Sequence, residues 1–255
     1  MSARDQTLKY RFVKPALSLA VAVGGKLAGL FGASQPARSC QVPTIRDIVD
    51  AHTAGRRRGY FVEVGAFDGE RFSNTSWLAD NGWRGLYVEP SAIYARLCRL
   101  RHLLNRVEIE NVAAGDETTT LPLREIGALS TLSQDAVDSY LQIEWSVRKM
   151  ARKVDSAMVS VVRLDDLLDR HAVKPGFDML VIDVGGFEEK VVSGFDIARW
   201  QPKLIVAELC DVHPDLSEIP ARAEPAARVR QSILDAGYGE IFRDDINTVF
   251  LRNGR

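Results

Sequence analysis

Tyr60-Phe61-Val62-Glu63-Val64-Gly65-Ala66-Phe67-Asp68-Gly69-Glu70 is the stretch from which the fold is read. A β-branched, aromatic run ends beside a carboxylate and opens into a turn whose glycines stand four apart, as where a buried strand hands over to a helix. The same unit recurs outward from it. Tyr60–Val64 is followed by a helical segment through Ser76–Asn81, Gly85–Glu89 by one through Ile93–Leu104, and Val107–Ala113 ends the first half. In the second half, Asp178–Asp183 precedes a helix from Glu188, and Leu204–Leu209 precedes one near Ala226–Ala236. Glu240–Phe242 and Thr248–Leu251 read as a hairpin. Strands alternating with helices predict an α/β domain with a mostly parallel sheet covered on both faces. Between the halves, Gln134–Lys153 reads as an inserted helix and Val159–Arg163 as a short extra strand before a helical Asp165–His171.

The chain has 255 residues, 46% of them hydrophobic and 26% charged, which suits one domain with a sizeable core. Its 33 Lys+Arg balance 34 Asp+Glu, but six of those cations and one acid fall in residues 1–38. A tail of +5 therefore precedes a body of −6, and no nucleic-acid partner is expected of so acidic a body. Cys40, Cys98 and Cys210 are too few and too widely spaced for a disulfide framework or a zinc site. They read as thiols of a reducing compartment, and the expected location is cytoplasmic.

In the tail, the apolar run Ala16–Gly25 is followed by Lys26, which interrupts a membrane-spanning length. Residues 1–40 are expected to form a basic, apolar leader, either disordered or lying peripherally on an anionic membrane through residues 1–38, and residues 41–255 the main domain with a helical insertion near 133–153.

The Gly65–Gly69 turn is not G-x-G-x-x-G. Glu63, Asp68 and Glu70 around it repel a pyrophosphate and disfavour a nicotinamide cofactor. An acidic, glycine-opened turn suits a phosphate-free ligand with a positive end, such as S-adenosylmethionine, whose sulfonium and ammonium are cationic. Its ribose diol calls for a carboxylate at the next strand end, and Glu89 stands twenty residues after Gly69.

These motifs closely resemble the FkbM-type family of S-adenosylmethionine-dependent methyltransferases. The resemblance runs through Glu63–Ala66, Asp68–Glu70, Ser73-Asn74-Thr75, Gly82–Leu86 and Val88-Glu89-Pro90, then Asn111–Asp116, Ser130-Thr131-Leu132, Leu164–Leu168, Asp178–Asp183, Gly186, Glu188, Gly194-Phe195-Asp196, Pro202 and Leu204–Glu208. It covers roughly residues 58–251 and departs at Gly185, where the family usually has Glu before Gly186. It implies a Rossmann-like class I methyltransferase fold, with a seven-stranded, mostly parallel sheet, helices on both faces and a C-terminal antiparallel hairpin. The cofactor-binding candidates are Glu63, Gly65, Ala66, Asp68, Gly69, Glu89, Asn111, Ser130 and Asp183.

Methyl transfer to a hydroxyl needs alignment and a base. Asp183, at the end of the fourth candidate strand, and Glu208 and His213, at and after the end of the fifth, are the catalytic candidates. Asp183, Glu208 and Asp211 form a conceivable cation set, but three loop-end acids commonly hold none, and no metal site is expected. Ser130-Thr131 either contact the cofactor or cap the helix from Gln134. The acceptor implied by the resemblance is a hydroxyl of a sugar, glycan, glycolipid or related secondary metabolite, with O-methylation as the reaction. The alternative is a methyltransferase-like binding or scaffold protein with impaired catalysis. Arg148, Lys149, Arg152 and Lys153 read either as a solvated face or as an attractor for an anionic acceptor, and the oligomeric state is left open.

Overall fold

The computed structural model describes residues 13–30, 43–53, 56, 58–144, 146–147 and 155–254. The basic cluster from Arg148 to Lys153 lies outside them. The chain divides into two compact units, residues 1–111 and 112–255. The main sheet has seven strands.

The first unit carries helices α1 (Lys14–Leu30) and α2 (Pro43–Thr53), then β1 (Tyr60–Val64), α3 (Ser76–Asp80), β2 (Arg84–Val88), α4 (Ala92–Arg101) and β3 (Arg106–Glu110). Its strands run parallel in the order β3-β2-β1. The last four residues of β1 and of β2 are all buried, so alternation disappears and the strands read as continuous apolar runs, the mark of a sheet covered on both sides. Phe61 lies opposite Gly85, whose missing side chain leaves room for the ring. The expected strand Val107–Ala113 is interrupted at Asn111, whose Nδ2 donates to the carbonyls of Glu89 and Pro90, both at 2.9 Å.

The second unit opens with β4 (Ala113–Gly115), β5 (Thr119–Glu125), α5 (Gln134–Tyr140), β6 (Asp155–Arg163) and α6 (Leu164–Arg170). Then come β7 (Met179–Ile182), α7 (Glu188–Ser193), α8 (Ile197–Trp200), β8 (Leu204–Glu208), α9 (Pro220–Asp235), β9 (Tyr238–Arg243) and β10 (Asn247–Arg252). Four of these strands run in the order β7-β8-β10-β9, with β7 and β8 parallel and β10 antiparallel to both of its neighbours. The expected hairpin at the C-terminal end is therefore present, and the fold is the α/β, mostly parallel architecture read from the sequence.

Three local differences have physical causes. β4, β6 and β5 make a separate three-stranded sheet, in which Thr119–Glu125 was not expected as a strand. Its burial alternates, with Leu121 and Leu123 turned inward and Thr120 and Pro122 exposed, but a proline within the run argues in sequence against a strand. The helix from Gln134 breaks after Tyr140, with Glu144, Ser146 and Val147 helical again and residues 148–153 of the expected insertion outside the described residues, and Ser133 rather than Ser130 or Thr131 caps it by accepting the Ala136 N–H at 3.1 Å. Helix α9 begins at Pro220, six residues before the expected start, with Pro225 in its second turn. Proline at the first helical position is favourable, whereas an interior proline ordinarily signals a boundary.

Candidate functional site

In the first unit, β1 leads into a turn assembled on glycine, carboxylates and buried hydroxyls. The Gly65 and Ala66 N–H groups donate to the Val88 carbonyl at 2.9 and 3.1 Å, which ties the turn to the end of β2. Gly69 has φ +74, and a Cβ there would stand 2.7 Å from the Cys98 Sγ and 3.0 Å from the His102 ring. Only glycine meets both demands without strain.

Glu89, at the exit of β2, is buried, and it clamps two backbone segments. Its Oε2 accepts the Phe67 N–H and its Oε1 the Ser91 N–H, both at 2.8 Å. The sequence places Glu89 by its distance from Gly69; the structure adds that its carboxylate organises the turn itself. Asp68 accepts the Glu70 and Arg71 N–H groups at 3.2 and 2.9 Å and pairs with Arg71 Nε at 2.8 Å.

Glu63 faces inward. Its carboxylate accepts from Ser73 Oγ at 2.9 Å, from the Thr75 hydroxyl and from the Asn74 N–H at 3.4 Å. Burial pushes its carboxyl up to about 7, against the opposing pull of those hydrogen bonds.

Behind the turn stands a cluster that the sequence did not single out. The buried Arg101 reaches Glu70 at 2.6 Å and grips both oxygens of the fully buried Asp80 at 3.0 and 2.6 Å. His102 Nε2–H donates to the Gly69 carbonyl at 2.8 Å while its Nδ1 accepts from Asn105 at 3.0 Å, an arrangement that fixes one neutral tautomer. Burial, aided by the Arg101 charge, lowers its pKa to about 3. His102 is thus a satisfied structural imidazole. Arg101 and its two partners lie in three separate segments, so sequence spacing alone gives no sign of their meeting.

The second unit brings a different set together. Asp183 follows β7 and Glu208 ends β8. Burial, then the neighbouring Asp183 charge and their shared hydrogen bond, holds Glu208 well above the carboxylate range. Two acids in contact keep a proton between them. Glu188 Oε1 accepts the Val184 and Gly186 N–H groups at 3.2 and 2.9 Å and so closes the turn after β7.

Arg222, on the unexpected first turns of α9, is buried. It donates to the Gly185 carbonyl at 3.2 Å and to Cys210 Sγ at 3.1 Å, with its guanidinium 5.5 Å from the Tyr140 ring centroid. A Cβ at Gly186, where φ is +100, would lie 1.5 Å from Arg222 Nη1. At Gly185 φ is +63 and a Cβ would sit 3.2 Å from the Ser130 carbonyl, so the position that carries Glu in the resembling family has here a backbone that glycine favours. Placing the start of α9 at Ala226 is what hid Arg222 from the sequence reading.

The other candidates are more dispersed in role. Ser130 Oγ donates to the Gly127 carbonyl at 2.7 Å and accepts the Ile126 N–H at 3.0 Å, closing its own turn. His213 Nδ1 accepts the Asp215 N–H at 3.0 Å. Asp211 is engaged by Arg230 at 2.6 and 2.7 Å, and among the described residues no group of three acids, histidines or cysteines has metal-binding placement. Trp83 and Trp200 are both buried, and their indole N–H groups are satisfied by the Arg56 carbonyl at 3.0 Å and by Asp165 at 2.8 Å.

Residues 63–239 match the family model of the Methyltransferase FkbM domain. No curated protein matches the chain significantly. Among solved structures, it is similar to an O-methyltransferase from Bacillus cereus crystallised with SAH, at 15% identity over 98% of each chain and a TM-score of 0.48. An O-methyltransferase from Streptomyces achromogenes involved in tomaymycin synthesis, TomG, crystallised with SAM, matches at 15% identity over 91% of this chain and 90% of that one, with a TM-score of 0.44.

Proposed function

The chain belongs to the FkbM methyltransferase family, and from that premise we propose that it is an S-adenosylmethionine-dependent O-methyltransferase acting on a hydroxyl of a sugar, glycan, glycolipid or related secondary metabolite. The residues around the β1 turn suit this donor. Asp68 and Glu89 supply negative charge, and the cations beside them are engaged: Arg71 with Asp68, and Arg101 with Asp80 and Glu70. A phosphate finds no uncommitted cation in that set, whereas a sulfonium-bearing ligand meets the favourable field. Glu89 accepts the Phe67 and Ser91 N–H groups, which fixes its carboxylate at the exit of β2, the position at which a ribose diol is read in this kind of fold. Gly65, Ala66, Gly69 and Asn111 shape the backbone next to it. When bound, the donor supplies an electrophilic methyl carbon.

The reaction type is supported by the contact of two carboxyls in the second unit, where the buried Glu208 is hydrogen-bonded to Asp183 and held well above the carboxylate range. Glu208 keeps the shared proton and donates it in a hydrogen bond to Asp183, which leaves the negative charge on Asp183. Asp183 is then the base that accepts the proton of the acceptor hydroxyl, and Glu208 positions it. His213 is the third candidate for proton handling. Arg222 and Glu188 hold the turn that follows Asp183.

Calorimetry with S-adenosylmethionine tests the donor site: the parent binds and Glu89→Gln loses affinity by at least about tenfold. A methyl-transfer assay over sugars and glycolipids tests the acceptor class. Tight donor binding with no transfer to any hydroxyl acceptor would favour the binding-protein reading, to which the glycine at position 185 also gives weight. Equal donor binding by parent and Glu89→Gln overturns the site assignment.

A further inference from the structure

Helix α1 is apolar around most of its circumference, yet among the described residues only one side is covered. It packs on α3 and α4 within the first unit, with Ala22 buried and Lys14, Pro15, Ser18 and Val21 half-buried. On the opposite side, Leu17, Leu19, Val23 and Leu27, with Val13 just before the helix, are 42–61% exposed. Ala16, Ala20 and Gly24 are exposed between them. At 100° per residue these eight positions fill one continuous arc of about 160°, and none of them is polar. A soluble surface helix carries charged side chains on that arc. No helix among the described residues is long and apolar enough to cross a membrane, and α1, at 17 residues, is about 25 Å long.

We propose that this face of α1 docks on the surface of an anionic lipid bilayer, with the helix lying in the plane of the interface. Charge selects this occupant over a second copy of the chain. Residues 1–38 carry six Lys/Arg and one acid, so two copies meeting through this face bring together two tails of +5. Acidic headgroups attract the same tail, and Leu and Val side chains enter the acyl boundary. The body at −6 disfavours approach of the remaining surface, which orients the protein with α1 toward the lipid.

Flotation of the full chain with phosphatidylcholine vesicles, with and without about 30% phosphatidylserine, tests this. The parent is expected to float with the phosphatidylserine vesicles and to be released as salt is raised. Leu17→Ser/Leu27→Ser should weaken binding by about tenfold or more, because each leucine loses its apolar transfer. Both side chains face away from α3 and α4, so an unchanged thermal melt shows that the fold is intact. Lys9→Glu/Arg11→Glu alters the tail charge alone and is expected to abolish the preference for phosphatidylserine. Deleting the helix is the poorer test, since it uncovers α3 and α4. The proposal is overturned if the parent stays unbound, if the leucine variant floats as well as the parent, or if sedimentation shows a dimer that the leucine variant dissociates while vesicles are ignored.

Discussion

Replacing Glu63 by Gln tests whether the carboxyl under the β1 turn carries a proton. Its ordinary value is 4.5, and burial raises it to about 7 in the folded protein. Between those values the folded chain holds a proton that the unfolded chain has released, so stability is fully present below about 4.5 and is lost as pH rises through about 7. At about 1.4 kcal/mol per pH unit, the loss amounts to roughly 3 kcal/mol. Gln keeps an oxygen for the Asn74 N–H and the hydroxyls of Ser73 and Thr75, and those hydroxyls can rotate to accept from its amide. It has no charge to bury. Urea denaturation of both proteins, followed by tryptophan fluorescence from pH 4 to 9, isolates the effect, because titrating groups common to both cancel in the difference. The stability of Glu63→Gln relative to the parent should rise by about 3 kcal/mol between the ends of this range, most steeply between the two pKa values. A difference that stays constant with pH, or that falls, refutes a proton on buried Glu63.

Arg101→Met leaves Asp80 charged and buried, and should cost about 3–5 kcal/mol in chemical denaturation. Adding Asp80→Leu should recover much of that loss, and failure to recover would show that the pair matters for more than its charge balance. Gly69→Ala combines a positive φ with a Cβ 2.7 Å from Cys98, so its melting midpoint should fall by an amount equivalent to roughly 2–4 kcal/mol. In the transfer assay, Asp183→Asn should lower kcat by about 10²- to 10⁴-fold with donor affinity retained. Glu208→Gln, which still donates a hydrogen bond to Asp183, should lose less; the reverse order would make Glu208 the base.

Reading the chain in one dimension recovers what depends on local period and on turn chemistry. The strand Tyr60–Val64 is a largely apolar run between two glycines, and Leu204–Glu208 an apolar run between a Pro-Lys pair and a terminal acid, so both are visible in composition alone. Gly69 and Glu89 announce themselves by type and spacing, because a tight turn and a strand-end carboxylate are local requirements. The sequence thus determined the order of the main-sheet strands along the chain, the terminal hairpin and the acidic, glycine-opened turn. Whether a carboxylate faces a ligand or the protein is another matter, since it depends on groups remote in the chain. Tertiary structure decided that Glu63 is held inward by Ser73 and Thr75, that Asp183 meets the buried Glu208 in a hydrogen bond, and that Arg222 lies against Gly185 and Cys210. It also decided that, among the described residues, α1 is covered on one side only. Burial and charge pairing are properties of neighbours in space, and the energies that set them arise only once strands distant in sequence have been packed side by side.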